Sequence, residues 1–136
     1  MYPEIQILLV DDEEELVLSL QRILQLEGYS ADYTTSPLTA IEKIKEKKYH
    51  IVLADIVMPE MDGIELLAAL KAYDPLVQVI MMTGYSTMDK TVRCLEKGAN
   101  DYLLKPFPDL DRVMEAVRLS EAKLRRWWES MRGNFA

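Results

Sequence analysis

Five short, nearly all-apolar runs alternate with five helix-period stretches, and this alternation limits the fold more than any other feature of the chain. Ile5 to Val10 is a strand-length apolar run stopped by Asp11 and Asp12. Glu13 to Glu27 follows, with Leu16, Leu20, Ile23 and Leu24 on one helical face and Gly28 closing it. Tyr29 to Thr34 reads as a short strand. Ser36 before Pro37 is an N-cap with proline in the first helical position, opening a helix through Lys47. Ile51 to Ala54 is a buried strand ending at Asp55, and a loop with Pro59 and Asp62-Gly63 leads into an amphipathic helix that stops before Pro75. Val77 to Met82 is a strand ending at Thr83; Thr87 to Lys97 is a helix closed by Gly98; Tyr102 to Leu104 is a strand ending at Lys105-Pro106. A last helix runs from Leu110 to about Met131.

Strict β/α alternation with apolar, non-alternating strands is the pattern of a parallel sheet covered by helices on both faces. The expected fold is α/β: a flavodoxin-like, doubly wound (βα)5 sheet of strand order 2-1-3-4-5 with an extended C-terminal helix. At 136 residues the chain makes one domain. The expected organisation is a domain over 1–120 and a helical extension or linker over 121–136.

Charge narrows the function. Sixteen basic residues stand against 23 acidic, a net of −7, which argues against nucleic-acid binding by this segment. The split is uneven: 19 acidic and 10 basic through residue 110, then 4 acidic and 6 basic. A lone Cys94 excludes an internal disulfide and a multi-cysteine zinc site. With no apolar run of about 18 residues and no leader pattern, the expectation is a cytoplasmic protein without a membrane segment.

Ligands of open α/β folds sit beyond the carboxyl ends of the strands, where strand order reverses. Those ends carry Asp11 and Asp12, Asp55, Thr83 and Lys105. Acidic residues opening a helix also serve the macrodipole, but five such groups on one edge describe a site. Two like charges about 4 Å apart repel by roughly 4 kcal/mol at an effective dielectric near 20. Three carboxylates in one crevice therefore call for a raised pKa or a bound cation. All-oxygen ligands favour a hard ion, Mg²⁺ before Ca²⁺ and with Mn²⁺ as a substitute, sharing its open positions with a phosphate. Lys105 and Thr83 suit the other phosphate oxygens. The chemistry that fits is phosphoryl transfer to a carboxylate, with Asp55, ending the middle strand, as nucleophile.

The chain resembles a response-regulator receiver domain from residue 4 to about 118. The matching motifs are Leu8 to Asp12, Asp55 to Pro59 with Met61-Asp62-Gly63, Met82-Thr83-Gly84, and Asp101 to Phe107. The resemblance implies that Asp55 takes a phosphoryl group from the phosphohistidine of a sensor histidine kinase or phosphotransfer protein. Asp12 would bind Mg²⁺ directly and Asp11 would assist, with Asp55 and the Val57 carbonyl completing the protein ligands. Thr83 and Lys105 would hold the phosphoryl oxygens, with a cis bond between Lys105 and Pro106. Tyr102 would be the aromatic switch, and the face of fourth helix, fifth strand and fifth helix would report the change or pair two copies. Val57 and Tyr85 occupy the positions that tune phosphate lifetime; neither offers an acid or amide to orient water, so self-dephosphorylation should be slow.

Such a chain would catalyse its own phosphorylation without being a conventional turnover enzyme. Two settings fit it: a free-standing relay protein, or the receiver segment of a hybrid kinase or DNA-binding regulator. A different class, a phosphohydrolase of similar fold, would need a second acid at Val57. A flavin site would need a hydroxyl- and glycine-rich loop where Asp11 to Glu15 stand.

The remaining conspicuous residues have plainer explanations. His50 packs at a strand start, Cys94 packs a helix on the sheet, and residues 42–48 form a solvated helix face. Leu110, Val113, Val117, Leu124, Trp127 and Met131 lie on a heptad-like seam interrupted by Ser120. That seam serves a dimerising or linker helix, or one folded back on its own domain.

Overall fold

The computed structural model describes residues 3–84, 87–107 and 109–135. Five strands form one parallel sheet: β1 (Gln6–Val10), β2 (Ser30–Thr34), β3 (Ile51–Asp55), β4 (Gln78–Thr83) and β5 (Asp101–Leu104). Five helices alternate with them: α1 (Glu14–Leu26), α2 (Pro37–Glu46), α3 (Gly63–Tyr73), α4 (Met88–Glu96) and α5 (Asp111–Phe135). The strand order is β2-β1-β3-β4-β5, the order expected for a flavodoxin-like doubly wound sheet.

Period-two alternation sends successive strand residues to opposite faces. Ile7, Leu9, Ile51, Leu53, Ile80 and Met82 pack under α1 and α5, whereas Leu8, Val10, Val52, Ala54, Val79 and Met81 pack under α2, α3 and α4. All twelve are fully buried, which is why the strands read as apolar throughout rather than alternating.

Local chemistry sets the helix ends. The side chains of Ser36, Asp62 and Thr87 accept hydrogen bonds from Thr39, Ile64 and Lys90 N–H and so cap α2, α3 and α4. Gly28 and Gly98 sit at φ of 94° and 98°, the left-handed conformation that ends a helix cheaply only without a Cβ. Gly63 answers a different need. A Cβ there would lie 2.1 Å from the Asp55 carbonyl oxygen, so only glycine lets α3 begin directly against the end of β3. Gly63 N–H donates to the Ile56 carbonyl at 2.7 Å across that contact.

The last helix is longer than the sequence suggests, reaching Phe135, and it crosses position 120 without a break. Beyond 120 it stays on its own domain. Leu124 is buried in the core beneath α1 and α5, and Trp127 and Trp128 pack on its margin. Tyr29 donates its hydroxyl proton to Glu121 at 2.6 Å, and Arg125 grips the same carboxylate from the next turn. The Trp128 ring meets His50 edge-on at 5.6 Å between centroids. As far as Trp128, the segment that suited a dimerising or linker helix packs on the protein's own body.

Candidate functional site

The order reversal falls between β1 and β3, and the two strands end side by side in Val10 paired with Ala54. Asp11 and Asp12 leave β1 there, and Asp55 closes β3. Carboxylate oxygens of all three lie within 4.8 Å of one another. Asp11 is fully buried and Asp55 nearly so, while Asp12 faces solvent at the rim.

Lys105 reaches this cluster from the end of β5. Its Nζ stands 2.5 Å from Asp11 Oδ2, 3.1 Å from Glu13 Oε1 and 3.6 Å from Asp55 Oδ2. The base of the lysine is fixed by its N–H, which donates to the Thr83 carbonyl at 2.8 Å, and its peptide bond to Pro106 is cis. Thr83 is fully buried at the end of β4. Ile56 N–H donates to the Met82 carbonyl, so the backbone just past Asp55 stays bonded to β4.

One ammonium cannot neutralise three carboxylates, and the pKa values record the deficit. Burial first, then repulsion from Asp11, pushes Asp55 up to about 6 against the pull of Lys105 and a hydrogen bond from Val57 N–H. Burial raises Asp11 as well, in spite of its bond to Lys105. Burial opposes the charge on Lys105, but its Asp11 bond and the surrounding acids outweigh that and hold it protonated. A buried, oxygen-only, charge-deficient crevice is the donor chemistry of a small hard cation.

Asp11, Asp12, Asp55, Thr83 and Lys105 thus converge on one edge. Tyr102 is half-buried on the neighbouring face, beside a groove of about 540 Å³ between β5 and α5. Val57 stands at the rim, 55% exposed. Tyr85 lies outside the described residues. One participant escapes a motif reading: Glu13, which looks like one more acidic helix opener. Gly63 stands in a matching motif, but the reason for it becomes visible only when α3 is seen against β3.

The match to known proteins follows the same residues. The model of the response regulator receiver domain matches residues 7–118, and the chain belongs to that family. It is similar to the transcriptional regulatory protein ZraR of Klebsiella oxytoca, 43% identical over 88% of this chain. The match takes in 26% of ZraR, so the chain spans about a quarter of that relative's length. The sporulation initiation phosphotransferase F of Bacillus subtilis is 34% identical over 83% of this chain and 90% of its own. Among solved structures, the beryllofluoride-activated NtrC4 receiver domain dimer superposes with a TM-score of 0.80 at 35% identity, covering 85% of this chain and 94% of that one. No helix among the described residues is long and apolar enough to cross a membrane.

Proposed function

We propose that the chain is a phosphoacceptor switch: Asp55 takes a phosphoryl group from the phosphohistidine of a sensor histidine kinase or phosphotransfer protein. An Asp55 carboxylate oxygen attacks phosphorus, the P–N bond breaks, and the imidazole leaves with the electron pair. The observation that carries this reading is the convergence of Asp11, Asp12 and Asp55 on one point with Lys105 beside them. Asp12, Asp11, Asp55 and the Val57 carbonyl would hold Mg²⁺ or Mn²⁺. The ion supplies charge neutralisation of the transferring phosphoryl oxygens. Lys105 and Thr83 serve the other oxygens. Since only ionised Asp55 is a nucleophile, a neighbouring cation also raises its reactive fraction.

Thr83 and Tyr102 carry the signal outward, because a phosphate shifts an equilibrium only if it prefers one packing of the residues around it. The receiving surface is the face of α4, β5 and α5. It exposes Met88, Val92, Leu95, Leu104 and Leu119, a concentration of apolar side chains that suits a protein partner or second copy. The chain acts in the cytoplasm and turns over no substrate. The stronger identity with ZraR favours the receiver segment of a longer transcriptional regulator over a free-standing relay.

Labelling with acetyl phosphate and Mg²⁺ tests the central step. One phosphoryl group per chain is expected, abolished by Asp55→Asn; absence of incorporation, or labelling that survives the substitution, overturns it.

A further inference from the structure

Glu13 occupies the N-cap of α1, a position that favours short polar side chains able to reach back to the helix N–H groups. Its own side chain makes no capping bond. Asp11 instead accepts the Glu13 N–H at 2.9 Å, turning the chain into the helix without help from the glutamate. Freed from capping, the Glu13 carboxylate extends over the rim to Lys105 at 3.1 Å. The ammonium is thus drawn from two sides, by buried Asp11 and by Glu13, and stands farther from Asp55 than from either.

From this geometry we infer that Glu13 is a positioning residue for Lys105, holding the ammonium toward the β1–α1 side while Asp55 is unmodified. An ammonium has three donors. Two point at Asp11 and Glu13, and Asp55 stands 3.6 Å away, so Lys105 closes on a phosphoryl group there only by drawing away from a carboxylate that gains nothing from phosphorylation. Glu13 therefore stabilises the resting arrangement and sets part of the threshold for switching. Glu13 is 62% exposed at its side chain, so solvent screens the pair and the effect is modest.

This inference rests on the phosphoacceptor reading, and beryllofluoride in saturating Mg²⁺, as a phosphoryl stand-in, separates the two. Failure of the unmodified protein to bind beryllofluoride would sink that reading itself. If it binds, Glu13→Gln should tighten binding roughly two- to fivefold, the range of a screened ion pair. Glu13→Asp keeps the charge but is one methylene too short to reach, and should tighten binding as well. In both ligand-free variants the NMR signal of the Lys105 ammonium should shift, a change that altered helix stability alone would not produce. Unchanged affinity in both, or tightening in Glu13→Gln alone with the Lys105 signal unmoved, would overturn the positioning role.

Discussion

Asp11 and Asp55 end adjacent strands and share one cation, Lys105, which lies 1.1 Å nearer to the first than to the second. Asp55 is thereby left the less compensated of two buried acids. Its carboxyl is raised from 3.8 to about 6, burial being the main cause. The folded chain then holds an extra proton between those values, so the penalty for ionising Asp55 is absent near pH 4. It builds as pH rises towards 6 and is complete above that. In Mg²⁺-free buffer, Asp55→Asn should stabilise the protein at pH 7 by up to about 3 kcal/mol. The gain should fade towards pH 4, as urea unfolding at a series of pH values will read.

Mg²⁺ should relieve the same strain by binding only the folded chain. Thermal unfolding is expected to move upward with added Mg²⁺ and to return on chelation. Asp12 sits at the exposed rim, so Asp12→Asn should fold normally yet lose most of that Mg²⁺-dependent rise.

If Asp55 carries a phosphoryl group, Val57 would offer an attacking water no hydrogen-bond partner, and this exposed residue can be changed without disturbing the core. Val57→Asn is expected to shorten the lifetime of the aspartyl phosphate severalfold. An unchanged rate of phosphate release would remove this position from the control of hydrolysis.

His50 should make the opposite rim acid-sensitive. Its Nδ1 accepts the Gln6 N–H at 2.9 Å, which requires the neutral ring, and burial followed by nearby Lys48 lowers its pKa below 6.5. The unfolded chain then takes up the proton first. The stabilising contribution is complete above about pH 6.5 and is lost as pH falls through the folded-state value. His50→Asn should flatten the fall in urea midpoint between pH 7.5 and about 5. Fluorescence from Trp128, in edge contact with His50, should change over the same interval in the unmodified protein.

Leu124 tests whether the extension belongs to the domain. As a 2%-exposed leucine in the core, it should cost about 2–5 kcal/mol when changed to alanine. Ala122→Ser, two residues away and exposed, should stay within about 0.5 kcal/mol. Equal, small effects would show the segment undocked in solution.

The sequence carried the β/α alternation because strands buried on both faces need unbroken apolar runs. It carried Asp11, Asp12, Asp55, Thr83 and Lys105 because each stands where such a run stops. The destination of the C-terminal seam was not legible: Val113, Val117 and Leu124 have the same spacing whether they pack on the home domain or on another helix. What decides is three-dimensional. Ser120 is small enough to be buried in the seam, and Tyr29 and His50, far away in sequence, supply the docking partners. Glu13 was hidden for a similar reason, since an acid at a helix start satisfies the dipole whether or not it also reaches a lysine 92 residues further along.

α5 spans the body from the loop after Lys105 to the rim at His50, so it is also a lever. From Asp111 to Arg132 its arm is about 32 Å at 1.5 Å per residue. A tilt of about ten degrees at its first turn would swing Arg132 by roughly 5 Å. The Tyr29–Glu121 bond and the His50–Trp128 contact clamp that arm partway along and near its tip. Their strength decides whether a push beside the Asp55 crevice arrives at the far end as a swing of the whole rod or is absorbed as a bend within it.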